Sequence, residues 1–311
     1  MNTRPVAIVN PRAGVIARAA MAAVRGAKGR WQGLEVWLTE RRGHAGDLAA
    51  QAVREEREIV IACGGDGTVN EIGGVLMDTP VTLGLVPAGS GNGLGRALGL
   101  SRNPIRALRA LSTAVARGMD VGMVNGKPFL NVAGAGFDAA VGHAYDLHGQ
   151  AGGRRGLLSY FRVGLRTAWG YKCDEFRLGV SGAEAGPASR LLVVAFANGQ
   201  QYGGGALIAP LARLDDGLVD VVSIADAPLA EMLWHMPLMP IGRIHGYRRY
   251  TRTPAQSAVL TGSGPIAYHR DGEPEPPVDK LVVTVRPRAL RVLVPAATAE
   301  APAGPFSPGN S

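Results

Sequence analysis

Three turns rich in glycine and small polar residues could do chemistry in the first third of this chain: Asn10-Pro11-Arg12-Ala13-Gly14, Gly64-Gly65-Asp66-Gly67-Thr68-Val69-Asn70-Glu71 and Pro87-Ala88-Gly89-Ser90-Gly91-Asn92-Gly93. Glycines let a backbone turn tightly, adopt positive φ and bring N–H groups against phosphate oxygens, and a helix N-terminus adds a partial positive charge. Thr68 adds a hydroxyl and Asp66 a carboxylate. Alone, the Gly-Gly-Asp-Gly run also reads as a strand-to-helix turn capped by Asp66 or Thr68. Three such turns on one edge of a parallel sheet read better as the cradle of a polyphosphate.

The elements that must position these turns follow from the hydrophobic pattern. Residues 6–9, 35–38, 59–62 and 81–86 are short apolar runs bounded by Gly, Pro or charge, the pattern of strands buried on both faces. Helical composition over 16–30, 45–57 and 69–77 alternates with them, so residues 1–120 predict an α/β domain with a parallel sheet. Beyond Asp120 the β-branched runs 129–132, 191–196, 218–224 and 281–285 predict a second, mostly antiparallel β domain over 121–295. Helices are expected at 157–168 and 229–244, and the Pro-, Ala-, Gly- and Ser-rich tail 296–311 is expected to be disordered.

Composition excludes several classes. The 311 residues are 46% apolar and 19% charged, which rules out a disordered or collagen-like chain. Cys63 and Cys173 match neither a disulfide framework nor a zinc site and fit a reducing cytoplasm. Residues 1–4 are too short and polar to lead a secretory signal, and residues 6–9 are shorter than its apolar core. The stretch 227–241, interrupted by Glu231, His235 and three prolines, falls short of a membrane span. His143, Asp146 and His148 lack the further ligand that a metal site needs. A net charge of +8 admits anionic partners without selecting one. Arg243, His245, Tyr247, Arg248, Arg249, Tyr250 and Arg252 alternate cations with aromatics, which suits a bilayer surface and equally a solvated face.

Taken in order, Asn10-Pro11 with Gly14, Thr39 before a Gly-His-Ala turn, Gly64 to Glu71, Pro87 to Asn92, Asp216-Gly217-Leu218 and Asp271-Gly272-Glu273 resemble the diacylglycerol kinase catalytic family, which includes sphingosine and ceramide kinases and bacterial lipid kinases. The resemblance covers nearly the whole chain. It implies an α/β N-terminal domain with an NAD kinase/phosphofructokinase-like parallel sheet and a mostly antiparallel β C-terminal domain. It also implies ATP bound by Asn10, Pro11, Arg12, Ala13, Gly14, Thr39, Gly65, Asp66, Gly67, Thr68, Val69, Asn70, Glu71 and Ser90. Mg²⁺ would be held by the Asp216 carboxylate with the carbonyls of Arg213 and Leu218. By the same resemblance Glu273 takes the proton of a lipid hydroxyl, with Asp66 as the other candidate base, and an Asp66→Asn change is expected to spare the fold. Residues 131–138 resemble the segment beside the family's lipid-binding cleft, where Asp138 meets a headgroup or else caps the next helix.

Two positions depart from the family pattern: Ala13 replaces a common Ser, and Gly93 stands where diacylglycerol-type members carry Asp. The second leaves Ser90-Gly91-Asn92 similar to the sphingosine kinase form. The expected activity is therefore ATP-dependent phosphorylation of a diacylglycerol or sphingoid-base hydroxyl, in a cytoplasmic protein that touches anionic membrane peripherally and binds no nucleic acid. A homodimer stays open. An NAD kinase-like enzyme shares Gly64 to Thr68 but not Ser90-Gly91-Asn92 or Asp271-Gly272-Glu273, and a non-catalytic nucleotide-responsive lipid-binding protein has no need of Asp66 and Glu273.

Overall fold

A computed structural model describes residues 5–12, 15–26, 29–150, 157–202, 205–302 and 304–307. The chain divides into two compact units, Met1–Val121 with Arg213–Asp216 and Pro287–Ser311, and Gly122–Ala212 with Gly217–Arg286. Residues 213–216 and 287–295, expected in the second domain, thus belong to the first unit. For 287–295 the reason is pairing, since Arg291 and Val292 run parallel to Thr82 and Leu83 and extend the first sheet. Residues 213–216 are tied to that unit by backbone bonds of Leu214 with Asp120 and Pro305.

In the first unit, β1 (Val6–Val9), β3 (Ile59–Gly64) and β4 (Thr82–Pro87) are buried at every position. Such strands must be apolar throughout, because helices cover both faces of the sheet. Together with β2 (Glu35–Leu38) they form a parallel sheet in the order β2-β1-β3-β4. Helix α1 (Val15–Arg25) follows β1, α2 (His44–Arg54) follows β2 and α3 (Asp66–Leu76) follows β3. Helix α1 stops five residues before the expected end, at Gly26, and Gly29 has left-handed φ +67. After β4 come the single turn and a half of α4 (Gly93–Ala97) and α5 (Pro104–Ser112). Asn103 caps α5 by accepting hydrogen bonds from the amides of Ile105 and Arg106, and Pro104 supplies the preset φ of a first helical residue. The chain leaves this unit along β5 (Val115–Val124).

The second unit is antiparallel. It contains β6 (Lys127–Phe129), β7 (Val132–Gly136), β8 (Glu175–Val180), β9 (Ser189–Ala197), β10 (Val219–Ala225), β11 (Tyr250–Ala255), β12 (Ser257–Arg270) and β13 (Glu273–Val294), the last of which carries on into the first unit. Its main ladder runs β11-β10-β9-β7-β12-β13, and Phe129, Phe196, Leu260 and Leu281 fill one face of the core. Helices α6 (Phe137–Gln150) and α7 (Leu157–Ala168) pack on each other, and α8 (Leu229–His235) follows β10. The helix expected over 229–244 ends at His235, because Pro237 and Pro240 cannot donate to its hydrogen-bond ladder. The expected strand over 129–132 is two strands, β6 and β7, with a break at Leu130 and Asn131.

The tail is a correction to the sequence reading. Its described part is ordered: α9 (Ala296–Ala299) packs with the Thr298 hydroxyl on the Leu98 carbonyl, and Phe306 is buried. The carbonyls of Pro305 and Phe306 accept from the Leu214 amide and the Arg213 guanidinium, and the Ser307 amide donates to Asp215. One large aromatic among small residues is enough to dock a segment whose backbone groups also find partners, and composition averages that aromatic away.

Candidate active site

The parallel register places the ends of β1, β2, β3 and β4 side by side: Val9 pairs with Leu38 and Cys63, and Gly64 pairs with Pro87. Asn10, Thr39, the Gly64–Thr68 turn and the Pro87–Gly93 turn therefore lie along one edge, the carboxyl edge where α/β sheets bind ligands. Backbone bonds lock them there. The Asn10 amide donates to the Cys63 carbonyl, the Thr39 amide to Val9, and the Ala88 amide to Gly64. The Asn10 side chain reaches the Thr68 hydroxyl at 3.4 Å, and its oxygen accepts from the Arg12 amide at 2.9 Å. Pro11 and Arg12 form an exposed turn, whereas Ala13 and Gly14 lie outside the described residues.

The two later turns touch at their glycines. A Cβ on Gly65 would stand 3.3 Å from the Gly89 Cα, and one on Gly89 would stand 2.6 Å from the Gly65 Cα. Gly65 has φ −91 and ψ −175, open to any residue, so close approach requires the glycine here and positive φ does not. The left-handed residue is instead Asn92, at φ +53. Asn92 is 3% exposed, and its amide group grips Gly89, accepting from its N–H at 2.9 Å and donating to its carbonyl at 2.7 Å.

Asp66 joins the turns. One carboxylate oxygen accepts from the Asn92 amide and the other from the Gly93 amide, both at 2.7 Å. These are the first free N–H groups of α4, so the carboxylate is charge-assisted and aligned with the helix dipole. Glu71 makes a similar tie, accepting from the Gly43 amide at 2.9 Å and holding the loop after Thr39 against α3. Gly67 and Val69 lie in the first turn of α3 and Asn70 opens its second, and Ser90 stands exposed between the two glycines. Burial pushes the Cys63 thiol up to about 12, so this cysteine is no nucleophile.

Residues 213–218 lie in the bend before β10. Asp215 is buried and spent on the Ser307 amide, while the neighbouring Asp216 is exposed. The Arg213 guanidinium is turned onto the Phe306 carbonyl, which leaves its own carbonyl as the only part suited to a cation. One exposed carboxylate with main-chain carbonyls is a donor set that fits a hard divalent ion. Among the described residues no three His, Cys, Asp or Glu side chains gather as a metal cluster.

In the second unit, β12 and β13 are joined by the two-residue turn Asp271-Gly272, with φ +49 and +83. Both values are positive, as a type I′ hairpin turn requires, and Asp-Gly is a favoured sequence for it. Glu273 is the first residue after the turn, opposite Arg270. The Asp271 carboxylate accepts from three amides, Leu130 at 2.8 Å, Asn131 at 2.8 Å and Val132 at 3.0 Å. Sequence reasoning gave no role to Asn92 or Asp271 by itself. Their signals were present as an Asn before a helix in a glycine run and an Asp-Gly between alternating strands. Asp138 meets Ala139, Tyr202 and His269.

In the basic-aromatic stretch, Arg248 and Arg249 pair with Glu231, Arg252 with Asp220, and Tyr247 is buried. Most of the alternation is thus spent inside the fold. Among the described residues no helix is long and apolar enough to cross a membrane.

Comparison with known proteins shows the family and the fold. The model of the diacylglycerol kinase catalytic domain matches residues 4–124, and that of the YegS C-terminal NAD kinase beta sandwich-like domain matches residues 131–294. A protein of Chromohalobacter salexigens named "Probable lipid kinase YegS-like" is 37% identical over 197 residues, 61% of this chain and 61% of that protein's length. Its namesake in Pseudomonas fluorescens is 34% identical over 286 residues, 89% of this chain and 90% of that one. A crystal structure of a diacylglycerol kinase from Bacillus anthracis has the same fold, with a TM-score of 0.68 at 18% identity over 95% of this chain and 98% of that one. With both family models matched in order and a relative aligned along nine tenths of its length, this chain belongs to the diacylglycerol kinase family of lipid kinases, in its YegS-like form.

Proposed function

We propose that the protein transfers the γ-phosphate of ATP to the hydroxyl of a membrane lipid of the diacylglycerol or sphingoid-base class. The observation that carries this reading is the carboxyl edge of the parallel sheet, where Asp66 ties two glycine turns together and leaves their amides and the Thr68 hydroxyl beside Asn10 and Thr39. Preorganised amides need no rearrangement to meet phosphate charge. The Asp216 carboxylate and the carbonyls of Arg213 and Leu218 would hold Mg²⁺, which when bound neutralises charge developing on the phosphates.

Glu273 takes the proton of the lipid hydroxyl as that oxygen bonds to the γ-phosphorus and the bond to ADP breaks. Asp66, the other candidate for this role, accepts hydrogen bonds from two backbone amides and ties the glycine turns together. Peripheral contact with anionic membrane belongs to the same proposal. Trp234 and Ile241, 82% and 62% exposed, suit the headgroup region, and Arg243, exposed two residues after Ile241, adds positive charge.

The test is incubation with γ-labelled ATP and an extracted lipid mixture, followed by mass identification of the labelled product. Label in a lipid supports the reading. Label in NADP, or nucleotide binding without turnover, overturns it. Glu273→Gln should lower turnover roughly 10²- to 10⁴-fold and leave ATP affinity unchanged, since a base works only when ionised. Trp234→Ala should release the protein from anionic vesicles in a sedimentation assay while its turnover on detergent-dispersed lipid persists.

A further inference from the structure

We propose that Asp138 and His269 are positioning residues that set the place of Glu273 through the backbone of Gly272, an inference that rests on the reading of Glu273 as the base. His269 is 5% exposed and lies on β12, two residues before the Asp271-Gly272 turn. Its Nδ1 is 3.3 Å from the Gly272 nitrogen, and its Nε2 is 3.1 Å from Asp138 Oδ2. A backbone N–H can only donate, so Nδ1 must be the acceptor. The ring proton then sits on Nε2 and points at the Asp138 carboxylate.

Asp138 is itself immobilised at the start of α6. Its Oδ2 also accepts from the Tyr202 hydroxyl at 2.7 Å, and its Oδ1 from the Ala139 amide at 2.8 Å. The strand opposite is shaped for the pair: His269 faces Gly134 of β7, where a Cβ would fall 2.1 Å from Asp138 Oδ2 and 2.8 Å from His269 Nε2. Any larger residue would displace both groups.

The turn is therefore held at both of its residues, Asp271 by the three amides entering β7 and Gly272 by the imidazole. An Asp-Gly hairpin turn forms without such help. Burying an ionisable pair to capture one turn amide is costly, and the return is a fixed orientation for the next side chain, which is Glu273. The ring also carries the orientation of Asp138 across the sheet, much as a carboxylate fixes the tautomer of a metal-binding histidine.

The two amide substitutions at 269 separate the contacts. Asparagine sets an oxygen near the place of Nδ1 and can still accept from Gly272, whereas glutamine extends toward Asp138 and loses the Gly272 contact. The experiment measures turnover and the ATP KM of His269→Asn, His269→Gln, Asp138→Asn, Glu273→Gln and the double variant His269→Gln with Glu273→Gln, all on the same lipid extract and with thermal unfolding recorded. His269→Gln should lose roughly 10- to 100-fold in kcat, the scale of a misplaced catalytic group, with ATP KM unchanged. His269→Asn should recover most of that loss, Asp138→Asn should fall between them, and the double variant should be no slower than Glu273→Gln alone. Wild-type kcat in His269→Gln, activities that follow only the melting temperatures, or an additive loss in the double variant overturns the inference while Glu273→Gln remains inactive. If Glu273→Gln itself turns over within threefold of wild type, the base reading has failed and the positioning role fails with it.

Discussion

Replacing Asp66 with Asn tests whether this carboxylate holds the site together as well as serving it. Both oxygens accept from backbone amides at 2.7 Å, and the donors, Asn92 and Gly93, are themselves buried. The amide side chain keeps one acceptor and turns an N–H₂ toward the other donor. One charge-assisted bond is lost and the second becomes neutral, a cost of roughly 2–4 kcal/mol. At about 2–4 °C per kcal/mol for a unit of this size, the melting temperature should fall roughly 5–15 °C. The sequence alone led to the opposite expectation, an intact fold with lost transfer. Scanning calorimetry decides between them, with limited proteolysis across residues 89–96 as a local readout and titration calorimetry for ATP. A melting temperature within about 1 °C of wild type, unchanged cleavage and abolished transfer would falsify the bridging argument and leave Asp66 acting on the bound nucleotide alone.

The glycine contact predicts an order: Gly89→Ala, whose Cβ meets the Gly65 Cα at 2.6 Å, should weaken ATP binding by more than tenfold, and Gly65→Ala, at 3.3 Å, by only a few fold. The reverse order in titration calorimetry would remove the contact as the reason for these glycines. Asp271→Ala strips acceptors from three amides and leaves an alanine at φ +49, so urea unfolding should show a loss on the order of 3 kcal/mol or more, with Asp271→Asn milder because asparagine tolerates that φ and keeps an acceptor. Arg249, then Tyr247 and Arg248, hold the Glu231 carboxyl down to about 2, against 4.5 in an unfolded chain. The unfolded state therefore binds the proton first, so this group's stabilisation is present above pH 4.5 and is lost as pH falls toward 2. Glu231→Gln should be less stable than wild type at pH 6, and the gap should close by about pH 2; a gap independent of pH between those limits refutes the linkage.

What the sequence determined by itself is local. Residues 6–9 and 59–62 are apolar at every position because a doubly covered parallel strand has no wet face, and that pattern needs no partner to be read. The glycine turns and the Asp-Gly before Glu273 were legible for the same reason: a turn states its demands in its own few residues. Tertiary structure decided what those residues do for one another. Asp66 and Gly93 are 27 positions apart, Asp271 and Asn131 are 140 apart, and His269 and Asp138 are 131 apart. Gly65 reads as a residue for positive φ until the fold brings Gly89 against it. The tail reads as disordered until Phe306 finds its place and its backbone neighbours find Leu214 and Asp215. Composition and periodicity report the free energy of a segment against water. A hydrogen bond or a close contact between distant segments depends on where the chain returns, and only the folded arrangement of the strands sets that.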